Sequence, residues 1–289
     1  MSSTERIVYV NGDYCAESQA RISIFDRGNL FADAVYEVTC VLDGRLVDFD
    51  GHMARLQRSF EALSMTPAGV DRETLLSIHR QLVDRNGLKE GLIYLQVSRG
   101  VADRDFAFPP AATPPGILLF TQEKVVIDSP LARRGLSVIS LPDIRWGRRD
   151  IKTVQLLYPS LAKQEAVKAG ADDAFLVEDG VVTEASSANA WIVTGDRTLV
   201  TRPLSNAILH GITRKAVLHF VGEAGYRLEE RAFTLDEAKA AAEAFITSAT
   251  SFVTAVTRID GTPVGDGTIG PVAGRLREIY IGRARGAAI

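Results

Sequence analysis

The chain has 289 residues, of which 46% are hydrophobic and 24% are charged, and its formal net charge is −3 at neutral pH. This length predicts about two domains and a core large enough to fold without disulfides or structural metal ions. The slightly negative charge argues against a nucleic-acid partner, because such binders usually carry a basic surface.

Simple counts exclude other classes of protein. Two cysteines, Cys15 and Cys40, are too few for a disulfide framework and fit a reducing cytoplasm. Residues 1–6 contain no apolar segment, so no signal peptide is expected. No stretch approaches the ~18 consecutive apolar residues of a membrane-spanning helix. None of the four histidines, His52, His79, His210 and His219, lies in a tight His/Cys/Asp cluster, so no metal site is expected.

The chain opens with two predicted β-hairpins. The first turns at residues 11–12 (Asn-Gly) and the second at residues 43–44 (Asp-Gly), each between apolar runs. Such dipeptides favour the tight turns that join antiparallel strands. The strand before the second turn is predicted to cover residues 34–42.

Two helices are predicted next. Apolar residues at spacings of three and four indicate a helix capped by Asp50, with His52, Arg55 and Ser59 on a different face. A second helix is predicted over residues 72–86, where an Asn-Gly pair provides the stop.

A long loop, residues 100–115, is predicted between apolar strands at 92–98 and 116–121. Loops of this length in compact domains are often functional. The polar, proline-containing stretch 122–130 that follows is predicted to link two domains.

The predicted domains are a smaller N-terminal α/β domain, residues 1–121, and a larger C-terminal domain, residues 131–289. The second block is predicted to contain strands, hairpins and helices in this order: a strand at 136–141, a helix after Lys152 with Leu156, Leu157, Leu161 and Ala162 on one stripe and its end at Gly170, hairpins at 174–184 and 190–201, a helix at 211–221, a helix at 236–244, and strands at 244–250 and 252–259.

Strands outnumber helices, and many are joined by hairpins. The predicted class is therefore α+β with mostly antiparallel sheets and flanking helices, rather than a doubly wound nucleotide fold. Neither G-x-G-x-x-G nor a Walker motif occurs in the sequence.

Lys152 stands out among the few lysines. It lies at a junction between an apolar strand region with Trp146 and the helix that follows. A surface lysine after Arg148-Arg149 is the simpler interpretation of its position. The alternative is a Schiff-base lysine, whose pKa must be lowered by burial or nearby positive charge.

An ordered series of motifs runs through both blocks: Arg27-Gly28, Val35-Tyr36-Glu37-Val38, Asp143-Ile144-Arg145-Trp146, Asp150-Ile151-Lys152, 161–166, 183–189 and 209–214. In these motifs and their order, from about residue 7 to the final helix, the chain resembles the D-amino-acid aminotransferases. These belong to the fold-type IV enzymes that use pyridoxal 5′-phosphate (PLP), as do branched-chain aminotransferases and aminodeoxychorismate lyases. The resemblance implies that the larger domain binds PLP and that the cofactor lies at the domain interface.

The resemblance also implies a catalytic lysine. Lys152 would hold PLP as a Schiff base and, once released, move a proton between the substrate α-carbon and the cofactor, which requires a pKa near the working pH. Glu184 would face the pyridine nitrogen and keep the ring protonated, so that PLP acts as an electron sink. Arg145 would lie near Glu184 and keep that carboxylate ionised.

The cofactor phosphate needs cations and backbone donors. By resemblance, Arg55 is the phosphate arginine and Leu209 packs on the cofactor ring. Ile212 and Thr213 open a helix, and the free N–H groups of a helix N-terminus favour phosphate. A plain N-cap is compatible with the same residues.

A further phosphate contact is expected at residues 248–250. Where the family often has a threonine, this chain has Ala249, whose backbone N–H can still donate. Either Ser248 or Thr250 compensates for the missing hydroxyl, or phosphate binding is weaker.

Substrate recognition is expected from three residues. In D-amino-acid aminotransferases a tyrosine, an arginine and a histidine hold the α-carboxylate, the last two from the partner subunit. Tyr36 and Arg104 match the first two, whereas the histidine position is Phe106. Arg104 alone could bind a carboxylate bidentately, although Asp105 beside it could neutralise it. Sharing of loop residues implies a homodimer.

The resemblance therefore implies a cytoplasmic transaminase of D-amino acids, such as D-alanine, and 2-oxo acids, such as 2-oxoglutarate, by a ping-pong mechanism through pyridoxamine phosphate. Phe106 suggests an alternative, an (R)-selective amine transaminase or a dual-activity enzyme. Further alternatives are a branched-chain L-amino-acid aminotransferase, which the Arg104 match disfavours, an aminodeoxychorismate lyase, and a PLP-binding or structural protein that keeps the fold but is not an enzyme. No metal, nucleic-acid or membrane partner is expected.

Overall fold

The computed structural model describes residues 5–289. The expectation of no signal peptide was based on residues 1–6. Residues 1–4 of this segment lie outside the described part. The chain forms two compact units. Unit 1 contains the residues up to Val125 together with Ile151–Gln155 and Ala287–Ile289, and unit 2 contains Val126–Asp150 and Leu156–Gly286.

Two short segments predicted to belong with the second block therefore pack in unit 1. The reason is backbone pairing, which composition does not reveal. The Tyr36 N–H donates to the Lys152 carbonyl at 3.0 Å, and the Leu46 N–H donates to the Ile289 carbonyl at 2.8 Å.

Unit 1 is a six-stranded antiparallel sheet with helices packed against it, and the strands run in the order β2-β1-β6-β5-β3-β4. Its elements are β1 (Ile7–Val10), β2 (Asp13–Ala16), α1 (Arg27–Phe31), β3 (Ala34–Leu42), β4 (Arg45–Leu46), α2 (Phe49–Ala62), α3 (Arg72–Asn86), β5 (Glu90–Ser98) and β6 (Gly116–Glu123). The core lies between the sheet and the apolar faces of α2 and α3.

The predicted hairpins and the stop of α3 are confirmed. Gly12 and Gly44 take positive φ in their turns, and Gly87 ends α3 in the left-handed conformation. The prediction of Asp50 as a helix cap is wrong. Helix α2 already begins at Phe49, Asp48 occupies the cap position without a side-chain cap bond, and Asp50 lies in the first turn, where its charge still favours the helix N-terminus.

The chain after Val125 adds a nine-stranded sheet. Its strands run in the order β12-β11-β10-β13-β14-β7-β8-β9, with β15 paired to β14. The elements are α4 (Pro130–Arg134), β7 (Leu136–Pro142), α5 (Leu157–Lys168), β8 (Asp173–Glu178), β9 (Val181–Ala185), β10 (Asn189–Val193), β11 (Thr198–Thr201), α6 (Ile212–Val221), β12 (Arg227–Glu230), α7 (Leu235–Ala240), β13 (Glu243–Ser248), β14 (Phe252–Ile259), β15 (Thr262–Pro263) and α8 (Pro271–Ala287).

The α+β class with mostly antiparallel sheets is confirmed. The described strands form three parallel pairs, β7 with β8, β7 with β14, and β11 with β12, and all their other pairs are antiparallel. Within the described residues, no helix has the length and apolar character needed to cross a membrane.

Two predicted helices of the second block are corrected. The stripe expected on α5 is wrong, because Leu157 is 75% and Leu161 is 53% exposed. Helix α5 instead buries Ala162 and Ala166, small residues that allow close packing on the sheet. The alanine-rich helix predicted over 236–244 ends at Ala240, since Ala244 pairs with Val256 in the sheet.

Candidate active site

Lys152 lies on a short extended segment that runs beside β3. The Val154 N–H donates to the Ala34 carbonyl at 3.1 Å, and Val35 forms a bridge with Thr153. This pairing turns the partly buried Lys152 amine toward Tyr36, whose ring centroid is 4.0 Å away. Among residues 5–289 the amine has no hydrogen bond or ion pair. The structure thus brings together the proposed nucleophile and a proposed substrate residue.

Tyr36 belongs to an aromatic stack that the sequence did not reveal. Its ring centroid is 5.4 Å from that of Tyr94, which stacks in turn on Phe120 at 4.9 Å. The Tyr94 hydroxyl donates to Gln96 at 2.9 Å. Burial raises the pKa of Tyr94, so this hydroxyl stays neutral and supports the Tyr36 ring. The sequence signal that could have revealed this arrangement is the alternation of side chains in β5, which puts Tyr94 and Gln96 on the same face of the strand.

Arg55 is held by a buried carboxylate. Its guanidinium donates to both oxygens of Glu37, from Nε at 2.7 Å and from Nη2 at 2.6 Å, and His52 Nδ1 lies 2.7 Å from the same carboxylate. Burial opposes the charge of Glu37, but Arg55 and His52 outweigh burial and lower the pKa of Glu37 to about 2. The ion pair makes it possible for this polar face of α2 to be buried.

Glu184 is the centre of a polar cluster in unit 2. Its Oε2 accepts from Arg145 Nη1 at 2.8 Å, and its Oε1 accepts from Asn189 Nδ2 and from the Leu209 N–H, both at 2.8 Å. Burial raises the pKa of Glu184, and Arg145 opposes that rise. Asp143 binds Arg145 from the other side at 2.9 and 2.7 Å. The expected proximity of Arg145 and Glu184 is therefore present.

Asn189 organises the start of α6, and the sequence did not single it out. Its Nδ2 also donates to the Leu209 carbonyl at 2.9 Å. Gly211, the residue before α6, packs so closely that a Cβ there would lie 2.0 Å from Asn189 Oδ1. Helix α6 then opens at Ile212 without a side-chain cap, and the buried Thr213 Oγ1 has no hydrogen-bond partner within the described chain.

The turn at residues 248–251 adjoins the same region. Thr247, the residue before this turn, pairs with Asn189 across β13 and β10. Asn189 in turn contacts the segment that leads into α6. The Ser248 hydroxyl lies 3.2 Å from that of Thr250 and 2.8 Å from that of Ser251. The residues expected to bind phosphate in unit 2 thus occupy neighbouring elements, with Ala249 in the turn itself.

The substrate loop places Arg104 and Phe106 at the surface of the chain. Phe106 is 78% exposed, and its ring centroid lies 5.6 Å from that of Phe31. The Arg104 guanidinium lies 5.6 Å from the Phe31 ring and 5.5 Å from the Phe106 ring. Within residues 5–289, Arg104 forms no ion pair, with Asp105 or otherwise, and neither its guanidinium nor the Phe106 ring stacks on the Tyr36 ring.

Comparison with known proteins identifies the kind of enzyme. The family model for class IV aminotransferases matches residues 34–259. A D-alanine aminotransferase of Staphylococcus aureus (strain COL) is 36% identical over 273 residues, which cover 94% of this chain and 95% of that protein. A D-alanine aminotransferase of Bacillus licheniformis is 39% identical over 267 residues, or 92% of each chain.

Solved structures agree on the fold. A branched-chain amino acid aminotransferase from T.th., solved with pyridoxamine 5′-phosphate, superposes with a TM-score of 0.87 at 27% identity, covering 98% of this chain and 95% of that one. The branched-chain enzyme of Escherichia coli gives a TM-score of 0.84 at 21% identity over 98% of this chain and 95% of that one, which supports the fold alone.

Proposed function

The chain belongs to the class IV aminotransferase family, and on that premise we propose that it moves the amino group between D-amino acids, such as D-alanine, and 2-oxo acids, such as 2-oxoglutarate. The observation that carries this proposal is its identity of 36% and 39% to two D-alanine aminotransferases over nearly the whole of each chain. Tyr36 and Arg104, the residue types expected to bind the α-carboxylate, add support.

The residues present fit PLP as the cofactor. The buried Thr213 hydroxyl, which has no partner among the described residues, and the uncapped N-terminus of α6 are donors suited to a phosphate. Glu184 Oε2 receives one hydrogen bond from Arg145 and has capacity for another, which suits a protonated ring nitrogen. When bound, PLP supplies an aldehyde that condenses with amines and a ring that accepts electrons.

The proposed roles in unit 1 belong to Lys152 and Arg55. Lys152 would bind the cofactor covalently and, as a free amine, move a proton at the α-carbon of the substrate. Its amine has no ion pair among the described residues, which suits an amine that must be free to react. Arg55 would face the phosphate, with Glu37 fixing its orientation through two hydrogen bonds.

The proposed roles in unit 2 belong to Glu184, Arg145 and Leu209. Glu184 would bind the ring nitrogen, and Arg145 would keep its carboxylate charged against the cost of burial. Leu209 would pack on the ring, because its N–H donates to Glu184, which places it next to the residue proposed to bind the ring nitrogen. Ile212, Thr213, Ser248 and Ala249 would donate to the phosphate.

A second candidate function, transamination of (R)-amines alone or beside D-amino acids, is favoured by one observation. Phe106 stands where a carboxylate-binding histidine is expected, and with Phe31 it makes an apolar surface beside Arg104. Such a surface would tolerate substrates that lack a carboxylate. Branched-chain L-amino acids and aminodeoxychorismate remain rival substrates that the experiment must test.

We further propose a cytoplasmic homodimer in which Arg104 and Phe106 serve the site of the partner subunit. Support comes from the position of these residues on an exposed loop, where neither stacks on the Tyr36 ring within the described residues of one chain. The cytoplasmic location is supported by the low cysteine content, with Cys15 and Cys40 both free.

The test is a steady-state assay of the wild type and of Arg104→Ala. With 2-oxoglutarate as acceptor, D-alanine should give pyruvate and D-glutamate, whereas L-leucine should not react. Arg104→Ala should raise the KM for D-alanine far more than that for (R)-1-phenylethylamine, because only D-alanine carries a carboxylate. Equal effects on both substrates, or a faster reaction with L-leucine, would contradict the proposal.

A further inference from the structure

Arg27 holds the loop that carries the proposed substrate residues. It is 2% exposed, at the start of α1, and its backbone N–H donates to the Gly100 carbonyl at 2.9 Å. Its Nη1 donates to the Asp105 carbonyl at 2.7 Å and to the Ala107 carbonyl at 3.3 Å. These two carbonyls flank Phe106, and the first follows Arg104 directly.

Asp33 holds Arg27 in turn. Its Oδ2 accepts from Arg27 Nε and from Arg99 Nε, both at 2.8 Å, and all three side chains are at most 10% exposed. Neither guanidinium meets a second carboxylate within residues 5–289. Because one carboxylate serves two buried cations, removal of Asp33 would leave both guanidinium groups without a carboxylate partner.

Arg99 ties this cluster to both α2 and the loop. Its Nη2 donates to the Leu63 carbonyl at 2.8 Å, just beyond the end of α2. Its guanidinium also lies 3.7 Å from the ring centroid of Phe108, further along the loop. The loop is therefore joined through Arg27, Asp33 and Arg99 to regular secondary structure.

Phe31 connects Arg27 with the tip of the loop. Its ring lies 4.5 Å from the Arg27 guanidinium and 5.6 Å from that of Arg104, and it contacts Phe106. A shift of Arg27 would therefore reach Arg104 and Phe106 both through the backbone carbonyls and through this ring.

We propose that Arg27, held by Asp33, is a positioning residue that sets recognition of the substrate carboxylate by fixing residues 104–107. The proposal rests on the proposed function, in which Arg104 binds that carboxylate. An ordered loop loses less conformational entropy when substrate binds, so affinity depends on its order. Arg27 touches no substrate itself and acts only through Arg104 and Phe106.

The test is Arg27→Gln in the holoenzyme, with Arg21→Gln as the matched control, because the exposed Arg21 side chain donates only to nearby backbone carbonyls in the described part of the chain. Loss of a charge-assisted contact should raise the KM for D-alanine roughly tenfold. The kcat should change less than about threefold, because ground-state binding and not the chemical step is affected. Hydrogen exchange should accelerate in residues 101–109 and stay unchanged in α2 and α3.

A second variant guards against misfolding. Arg27→Lys keeps a positive charge beside Asp33 but lacks the fork that reaches both carbonyls, so its KM and exchange rates should lie between those of the wild type and Arg27→Gln. Unchanged exchange in residues 101–109, or faster exchange with an unchanged KM, would overturn the inference while leaving the proposed function intact. A wild type that does not convert D-alanine would overturn the proposed function, and with it the role in recognition.

Discussion

At the scale of single residues, the candidate site depends on polar side chains that are buried only because each has a partner. Glu37 takes the charge of Arg55, and Glu184 receives donors from Arg145, Asn189 and the Leu209 backbone. Buried charges without such partners would be strongly unfavourable. Lys152 differs, because its amine has no ionic partner in the described chain and faces an aromatic ring.

We predict that Lys152→Ala abolishes catalysis. Loss of a residue that both binds the cofactor covalently and transfers a proton should lower kcat by roughly 10²–10⁴-fold or more. The visible absorbance of the lysine-bound cofactor should disappear at the same time. Lys168→Ala is the control, since Lys168 is exposed and, within residues 5–289, pairs only with Glu165. Retained absorbance in Lys152→Ala would refute the assignment of Lys152.

The sequence revealed residue types better than their partners. Lys152, Glu184 and Arg55 were singled out by motif, but the roles of Asn189 and Tyr94 emerged only in the structure. Asn189 acts through contacts with residues about 20 positions away, such as Leu209. Pairings at this distance follow from strand register and cannot be read from local spacing.

At the scale of elements, the N-terminus of α6 depends on a close approach between Gly211 and Asn189. We predict that Gly211→Ala, whose Cβ would lie 2.0 Å from Asn189 Oδ1, destabilises unit 2 by about 1–3 kcal/mol, as overpacking typically does, and weakens PLP binding. Tryptophan fluorescence in urea measures the stability, because both tryptophans lie in unit 2.

The matched control is Gly222→Ala at the other end of α6. Gly222 has helical φ and ψ, and a Cβ at this position would meet no neighbouring group within 4 Å. This variant should keep the stability and cofactor affinity of the wild type. Equal behaviour of the two variants would contradict the importance of the close approach.

A pH dependence is expected where α3 meets α2. His79 on α3 lies edge-on to Phe49 of α2 at 5.1 Å, and burial lowers the pKa of His79 to about 4 from an ordinary value of 6.5. The unfolded chain therefore binds the additional proton first as the pH falls. The stabilising effect of keeping His79 neutral is complete above about pH 6.5. As the pH falls toward 4, the free energy of unfolding decreases by up to about 1.4 kcal/mol per pH unit.

The prediction is tested by urea unfolding at pH values near 7 and near 5, with circular dichroism as the signal. His79→Gln should show a smaller difference between the two pH values than the wild type. His219→Gln is the control, because His219 is exposed on α6. An identical pH dependence for wild type and His79→Gln would show that His79 is not responsible.

The element boundaries show where sequence patterns fail. Hairpins with Asn-Gly or Asp-Gly turns were predicted correctly, because the turn itself needs residues that accept positive φ. The start of α2 and the stripe of α5 were not, since Asp48 precedes the expected cap and the small Ala162 and Ala166 are buried in place of leucines. Packing against a sheet selects small residues that hydrophobicity alone does not mark.

At the scale of the whole molecule, the two units interleave in sequence. Residues 151–155 return to unit 1 between two segments of unit 2. Composition could mark a boundary near residues 122–130, but it could not reveal a five-residue strand-like addition to β3. Lys152 is carried by this addition, so its location depends on the tertiary fold.

The proposed dimer makes a prediction about mixed subunits. As separate proteins, Lys152→Ala should be inactive, and Arg104→Ala should be nearly inactive at D-alanine concentrations far below its raised KM. If Arg104 serves the partner subunit, mixed dimers regain one intact site, and random mixing of equal amounts should restore about one quarter of the wild-type activity. The measurement is D-alanine turnover after the two variants are unfolded and refolded together. Absence of recovery would contradict sharing of the loop.

The measurement that tests the central claim most directly is the half-reaction of the purified holoenzyme with a single amino donor and no acceptor. D-alanine should convert the absorbance of the lysine-bound cofactor to that of the amine form and release pyruvate, and 2-oxoglutarate should then restore the original spectrum. L-leucine should leave the spectrum unchanged. Conversion by L-leucine and not by D-alanine would contradict the assignment and identify the protein as an L-amino-acid aminotransferase.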